Sequence, residues 1–527
     1  MSVTGPNAPV PAAAPPPESS EGACLLWHRR DLRIADNRAV EVATERYDTV
    51  CPLFVFDPRF YGVDGLACDA RVRFLHECLA DLAAAYADRD TTLVYGHGSP
   101  ITVLDGFLDA GWDVVANRDV SGRYGERRDE ALAGREGVHF VAEDGIRHDQ
   151  ESREGWQAHA ESYVEAPTNR PHDSGFGEHS VATDVTVEAV ERRYDVAPTK
   201  SGVPKGGRTA ALARLDRFLD TIHEYQRNVS SPLGAETYCS RLSGYLRFGA
   251  LSVREVYRAL DDAVDCTGKE AFVSRLFWNR HYTQKLADWS GWMDTAVNPV
   301  FEGIYADEVD ESLIRAWKRG ETGFPMVDAS MRCLRETGWL NFRMRAMCAS
   351  VFSLLFKQPW QVGADFMYYH LVDADPAINY TQWQSQSGLK GIGAIRLYNP
   401  RKQVRDNDPE GVFVRRWVPE LEGVPVAHLD RPERMPLTVQ EEVGVRIGED
   451  YPYPVVDYEA EREAALETFG GLREEARAAY RDPEVFRRAS LSPRSRTRAM
   501  QADATSDADA AGEGDRSDRQ AGLDRFT

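Results

Sequence analysis

Ala23-Cys24-Leu25-Leu26-Trp27-His28 is an apolar run of six residues, and it stops at once on Arg29-Arg30-Asp31-Leu32-Arg33. A short buried run ending in a charged loop reads as a strand of a sheet covered on both faces. Four similar runs follow, at Thr49–Phe56, 91–96, 113–118 and 138–143. Between the second and third, Val72, Leu75, Leu79 and Leu82 recur at helical spacing. Strands alternating with helices predict a doubly wound parallel α/β domain over residues 23–148.

Beyond that point the texture changes twice. Residues 149–205 are polar, with Pro, Gly, His and Ser throughout, and read as a long inter-domain connection. From residue 206 to 490 helical patterns follow one another, at 210–225, 253–264, 270–287 and 329–356, with few strand signals. A mainly α-helical second domain is expected there. The Ala- and Pro-rich residues 1–22 and the low-complexity residues 491–527 cannot build a core, and disorder is expected in both. There are no internal repeats.

The chain has 527 residues and 42% hydrophobic content, enough for two or three domains. No apolar run is long enough to span a bilayer. The N-terminus lacks the basic start and apolar stretch of a signal peptide, so a cytoplasmic protein is expected. The 8 cysteines form no Cys-x-x-Cys pair, which suggests neither a zinc site nor a disulfide framework. The formal net charge of −21 reads as a surface adapted to high salt, with an ordinary acidic protein as the competing reading.

Several stretches carry more than packing. Three arginines and two aspartates crowd the loop after the first run, ending at Asp36-Asn37; a solvated charge cluster is the plain alternative. Cys239-Ser240-Arg241-Leu242-Ser243 offers small polar side chains and backbone amides at a helix start, which suits a pyrophosphate. An ordinary cap at Ser240 or Ser243 would look the same. Gly323-Phe324-Pro325-Met326-Val327-Asp328-Ala329, Thr337-Gly338-Trp339, Asp373-Ala374-Asp375-Pro376-Ala377-Ile378-Asn379 and Asn399-Pro400 complete the set.

In this order the stretches resemble the photolyase/cryptochrome family, from Cys24 to Arg488 and most densely between Tyr225 and Trp417. The resemblance implies an FAD-binding helical domain and a monomer. It also implies an antenna pigment, a folate or a deazaflavin, in the first domain, which residues 117–129 do not identify. Tyr225, Cys239, Ser240, Arg241, Leu242 and Ser243 would then hold the flavin phosphates, although the family has Thr where Cys239 stands. Arg345 and Asp373 would pair beside the isoalloxazine, with Phe342 nearby. Asp375 would meet the ring edge or ribityl chain, and Asn379 would face N5, where an uncharged amide favours the reduced flavin that repair needs. By the same resemblance Trp317, Trp360 and Trp383 are the distal, middle and proximal members of an electron-hopping chain; each alone would read as a core aromatic.

The pocket for substrate departs from the pattern. Trp278 matches the residue that stacks on a flipped-out pyrimidine dimer. Arg275 stands where dimer-repairing relatives have Glu, and Asn279 replaces a flavin-phosphate Arg, with Arg280 adjacent. Asn341 takes the place of the histidine used on (6-4) photoproducts, Ser385 that of a second stacking Trp, and Ala346 that of a Met. No cysteine follows Cys348, which excludes the iron–sulfur branch.

Ultraviolet-damaged DNA is the expected partner. Arg275, Arg280, Arg343, Lys390, Arg396, Arg401, Lys402 and Arg405 could line a phosphate-binding rim, or a salt-bridged surface. Gln520, Leu523 and Phe526 resemble a motif that docks on DNA sliding clamps, broken at its end by Thr527. The expected activity is light-driven repair of pyrimidine dimers by electron transfer from reduced flavin, with no metal. A blue-light photoreceptor without repair is the alternative. A nucleotide-binding protein of the doubly wound type would need a Gly-x-Gly-x-x-Gly run, and none exists.

Overall fold

A computed structural model describes residues 17–19, 22–62, 64–142, 144–148, 153 and 155–489. The tail motif at Gln520, Leu523 and Phe526 lies outside the described residues.

Five parallel strands, β1 (Ala23–His28), β2 (Thr49–Phe56), β3 (Val94–His97), β4 (Asp113–Asn117) and β5 (Val138–Val141), form one sheet in the order β3-β2-β1-β4-β5. All six residues of β1 are buried, and alternate residues enter different cores. Cys24 and Leu26 join the core shared with the helical region, whereas Ala23, Leu25 and Trp27 join one on the opposite face. That two-sided burial is why the run is continuously apolar rather than alternating. Helices α1 (Arg38–Arg46), α2 (Asp69–Ala87), α3 (Pro100–Asp109) and α4 (Arg123–Ala133) supply the cover. Asn37 begins α1 by accepting hydrogen bonds from the Ala39 and Val40 amides.

The polar connection is more ordered than its composition suggests. It contains α5 (Trp156–Glu165) and α6 (Val187–Tyr194), whose Trp156, Ala160, Val164 and Val190 are buried in the main core. A few well-spaced apolar residues suffice for a helix that only needs one inward stripe.

The helical region opens with α7 (Arg208–Thr221), α8 (Tyr225–Asn228), α9 (Pro232–Tyr238), α10 (Ser243–Arg247), α11 (Val253–Ala259) and the 22-residue α12 (Thr267–Asp288). Then come α13 (Glu311–Arg319), α14 (Pro325–Thr337), α15 (Phe342–Ser350), α16 (Trp360–His370), α17 (Pro376–Gln386) and α18 (Pro400–Asn407). The single helix expected at 329–356 is two. Gly338, at φ 68°, ends α14 in the left-handed conformation, and α15 restarts after Asn341. The break brings Trp339, Leu340 and Asn341 to the wall of the central cavity.

Candidate functional site

One cavity gathers most of the residues singled out in the sequence. Tyr225, Cys239, Ser240, Arg241, Ser243, Arg275, Trp278, Asn279, Phe342, Arg345, Asp373, Asp375, Asn379 and Trp383 all line it. Leu242 is buried just behind, as the residue before α10. The walls come from α12, α15 and α17 and the loops before α10 and α15.

The loop 239–243 is held from outside. Arg214 on α7 donates through Nε to the Ser240 carbonyl at 2.8 Å and through Nη2 to the Cys239 carbonyl at 2.6 Å. Arg241 takes φ 55° and lays its guanidinium 3.9 Å over the Trp339 ring. Burial and then the neighbouring Arg214 pull Arg241 below its ordinary range. Two partly buried guanidiniums that disfavour one another make this loop a place where an anion is welcome. Burial pushes the Cys239 thiol up to about 12, so it stays protonated and supplies no charge.

Opposite this loop, Arg345 Nη2 donates to both carboxylate oxygens of Asp373, at 3.0 and 2.9 Å, and Ser243 Oγ donates to the same carboxylate at 2.7 Å. Arg345 Nε is fixed on the Leu340 carbonyl at 2.7 Å. The loop 239–243 and the ion pair are thus one hydrogen-bonded unit. Asn379 donates its amide to the Ala364 carbonyl at 3.0 Å, which sets the side chain against the cavity. Asn341 donates to the Val229 and Ser230 carbonyls at 3.3 and 3.1 Å, and its buried Oδ1 has no partner. An orphaned acceptor, paired guanidiniums and a mostly apolar wall fit a large aromatic ligand carrying phosphates.

Asp375 lines the cavity and is also tied into the fold. Its carboxylate accepts from the Ala377 and Ile378 amides at 2.9 and 3.3 Å, capping α17, and from Arg30 Nη1 at 3.0 Å. Arg247 Nε lies 3.8 Å away. Arg30 is in turn bound through Nε to Asp119 at 2.7 Å. The charged loop after β1 is therefore a buried network and not a solvated cluster. Arg214 was not legible as a supporting residue, because it looks like a surface arginine until the chain is folded. Asn279 accepts from Arg280 Nη2 at 2.7 Å, so the neighbour's charge is steered by the residue that replaced it.

The tryptophans are placed unevenly. Trp383 lines the cavity, and Trp360 is buried at the start of α16. Trp317, expected at the surface end of the chain, has 0% exposure and lies 6.0 Å from Trp383, ring centre to ring centre. It donates to the Cys348 carbonyl at 3.1 Å and sits in the core. A distal surface donor cannot be fully enclosed, so that role is corrected.

The basic rim is also smaller than predicted. Arg396 is exposed, 4.8 Å over the Tyr398 ring, whereas Arg343, expected at the rim, is buried at 9% exposure, 5.9 Å from the same ring and 3.3 Å from Ser230 Oγ. Lys402 is exposed beside Asp406 at 3.6 Å. Arg401 is 7% exposed and paired with Glu433 at 3.0 Å, which makes it a structural cation. Lys390 is half-buried, and burial lowers its amine below the ordinary lysine range, which does not suit a phosphate contact in solvent. Arg275 lines the cavity beside Tyr225 and Cys239, its guanidinium 5.7 Å over the Phe342 ring. Separately, a cavity of about 360 Å³ lies between α4 and the end of α12, lined by Asp119, Gly122, Glu126 and Leu286. Among the described residues no cluster suited to a metal ion occurs, and no helix is long and apolar enough to cross a membrane.

Comparison with known proteins bears on both halves of the chain. Residues 24–145 match the family model described as DNA photolyase, and residues 272–471 match the FAD binding domain of DNA photolyase. The deoxyribodipyrimidine photo-lyase of Halobacterium salinarum is 30% identical over 494 residues, 85% of this chain and 99% of the relative. A cryptochrome DASH of Gloeobacter violaceus is 27% identical, over 82% of this chain and 93% of its own. The crystal structure of a bacterial class III photolyase from Agrobacterium tumefaciens superimposes with a TM-score of 0.74 at 28% identity, covering 87% of this chain and 99% of that one.

Proposed function

Because the chain belongs to the photolyase/cryptochrome family and carries its FAD-binding domain, we propose that it is a deoxyribodipyrimidine photolyase that repairs pyrimidine dimers in ultraviolet-damaged DNA with blue light. The observation that carries this reading is the continuity of one cavity, in which Trp278 shares a wall with Asn379 and Trp383. A base turned out of DNA can stack on the half-buried indole of Trp278 and reach the residues that surround the flavin.

The protein's part is binding and electrostatics, while the flavin supplies the electron. Arg241 and Arg275 face the phosphates, and the Arg345–Asp373–Ser243 unit fixes the ring side. Asn379 presents a neutral amide, which does not force a proton onto the cofactor. Trp278 and the apolar wall exclude water from the reacting bases, and Arg396 meets the DNA backbone at the rim.

A photoreceptor without repair is the second reading. Asn341 is tied to backbone carbonyls, and Ala346 leaves the wall smaller than a methionine would. Relatives of both names are similarly distant. The deciding experiment is light-dependent loss of dimers from single- and double-stranded DNA by the photoreduced protein. Loss on either substrate supports repair; none on both, with normal flavin photoreduction, leaves the photoreceptor.

A further inference from the structure

With Trp317 enclosed, the electron that Trp383 gives up must be replaced through another route to solvent. Trp360 offers it. Its ring centre is 6.4 Å from that of Tyr380, which stands on α17 one turn before Trp383 and is 7% exposed. Residues three apart on a helix lie on the same side. Helix α16 packs closely enough that a side-chain carbon at Gly363 would overlap the Trp383 ring. Trp360 and Tyr380 thus form an aromatic seam between α16 and α17, on the side of α17 that also carries Trp383.

Tyr380 differs from the other rings of that seam in having a base. Its hydroxyl donates to Asp365 Oδ1 at 2.7 Å, and Asp365 is exposed to solvent. Burial, then Asp365, holds the phenol in its protonated form, well above the usual range. Tyr368 lies 5.8 Å further on, but the Arg71 guanidinium sits 4.7 Å over its ring and opposes positive charge there.

We propose that Tyr380 is the terminal redox residue of the relay and that Asp365 is its proton acceptor. The proposal rests on the photoreduction reading above. In the step, one electron passes from Tyr380 to the oxidised indole of Trp360, restoring neutral Trp360. The phenolic proton crosses the hydrogen bond to Asp365 in the same event. Tyr380 is left as a neutral radical and Asp365 as a carboxylic acid. A soluble thiol then gives Tyr380 a hydrogen atom, becoming a thiyl radical, and Asp365 returns its proton to water. The carboxylate is what makes the step favourable, since an oxidised phenol that keeps its proton is a buried cation. Separation of the hole from the flavin is the gain: a neutral radical beside a carboxylic acid has no charge to draw it back.

The experiment is time-resolved absorption with electron paramagnetic resonance on the flavin-loaded protein. The expected result is a tryptophanyl signal converting to a neutral tyrosyl signal, more slowly in D2O. Tyr380→Phe should show no tyrosyl signal, and Asp365→Asn should form it about a hundredfold more slowly. The D2O measurement on the unmodified protein needs no variant to fold. A tryptophanyl signal that never becomes tyrosyl, or an Asp365→Asn rate equal to the unmodified rate, overturns the proposal alone. Absence of any radical overturns it together with the photoreduction reading.

Discussion

Arg30 Nη1 donates to Asp375 Oδ2 at 3.0 Å, joining the loop after β1 to the cap of α17 across 345 residues of chain. The same guanidinium is bound to Asp119. The α/β half therefore holds the helix that carries Asn379, Tyr380 and Trp383. Both partners are largely buried, so removing one leaves the other charge uncompensated. Arg30→Met is expected to cost about 3 kcal/mol in chemical denaturation. Adding Asp375→Asn should recover part of that loss, and equal costs in single and double variants would show that the pair is not coupled.

Cys239 places a thiol in the loop 239–243 where, on the proposed reading, a hydroxyl would face the flavin phosphates. Its thiol is a weak donor, and burial keeps it neutral. Cys239→Thr is expected to strengthen flavin retention by about 1 kcal/mol, roughly fivefold in dissociation constant. Fluorescence of flavin released during dialysis measures it. Weaker retention would mean that the loop has repacked around sulfur.

The relay yields a contrast between tryptophans of similar burial. Trp383→Phe should slow photoreduction by about tenfold or more, since each lost 1.4 kcal/mol is a factor of ten. Dimer repair by protein reduced beforehand should survive. Trp317→Phe should leave photoreduction near normal, because its indole leads nowhere but the core. A loss as large as that of Trp383→Phe would restore Trp317 to the electron path.

Much of this was legible in the sequence, and the reason is physical. Strands buried on both faces must be continuously apolar, so Ala23–His28 and Thr49–Phe56 announced themselves with their boundaries. Their partners 91–96 and 138–143 are less buried and less regular, and the strands there are shorter, at Val94–His97 and Val138–Val141. Residues set in a motif, such as Asp373 and Asn379, stood out and do line the cavity. Residues whose role depends on distant partners did not. An arginine in a basic segment reads as a phosphate contact whether it faces water, as Arg396 does, or Glu433, as Arg401 does. Likewise the position of Trp317 in the sequence says nothing of which way its helix turns it.

His370 gives the protein a pH dependence with a definite sign. Burial, then Lys200, Arg335 and Lys318, lowers it to about 3. Lys200 Nζ lies 3.3 Å from its Nδ1, and the Phe366 ring is 4.4 Å away. The folded state therefore holds His370 neutral, while the unfolded chain protonates it near pH 6.5. Its contribution is complete above about pH 6.5 and is lost as pH falls from there towards the folded value. Melting temperature should decline over that window, and His370→Gln should flatten the decline. An unchanged profile would assign the loss to other groups, among them His281, which burial and Arg153 also depress.

The last contrast separates binding from folding in the basic segment. Arg396 is exposed on the Tyr398 ring, whereas Arg401 is buried between Glu433 and Glu459, 3.0 and 4.0 Å away. If Arg396 meets a phosphate, Arg396→Ala should lower the slope of log affinity against log salt by about 0.9, with little change in melting temperature. Arg401→Ala should do the reverse, destabilising the fold by about 3 kcal/mol by stranding the largely buried Glu433 carboxylate while leaving the salt slope intact. The acidic surface makes the first measurement demanding, since a formal net charge of −21 opposes DNA binding. For the same reason its outcome is decisive: in a protein this acidic, a single rim cation carries a larger share of the attraction than it would in a basic one. A slope unmoved by Arg396→Ala would place the DNA backbone elsewhere on the molecule.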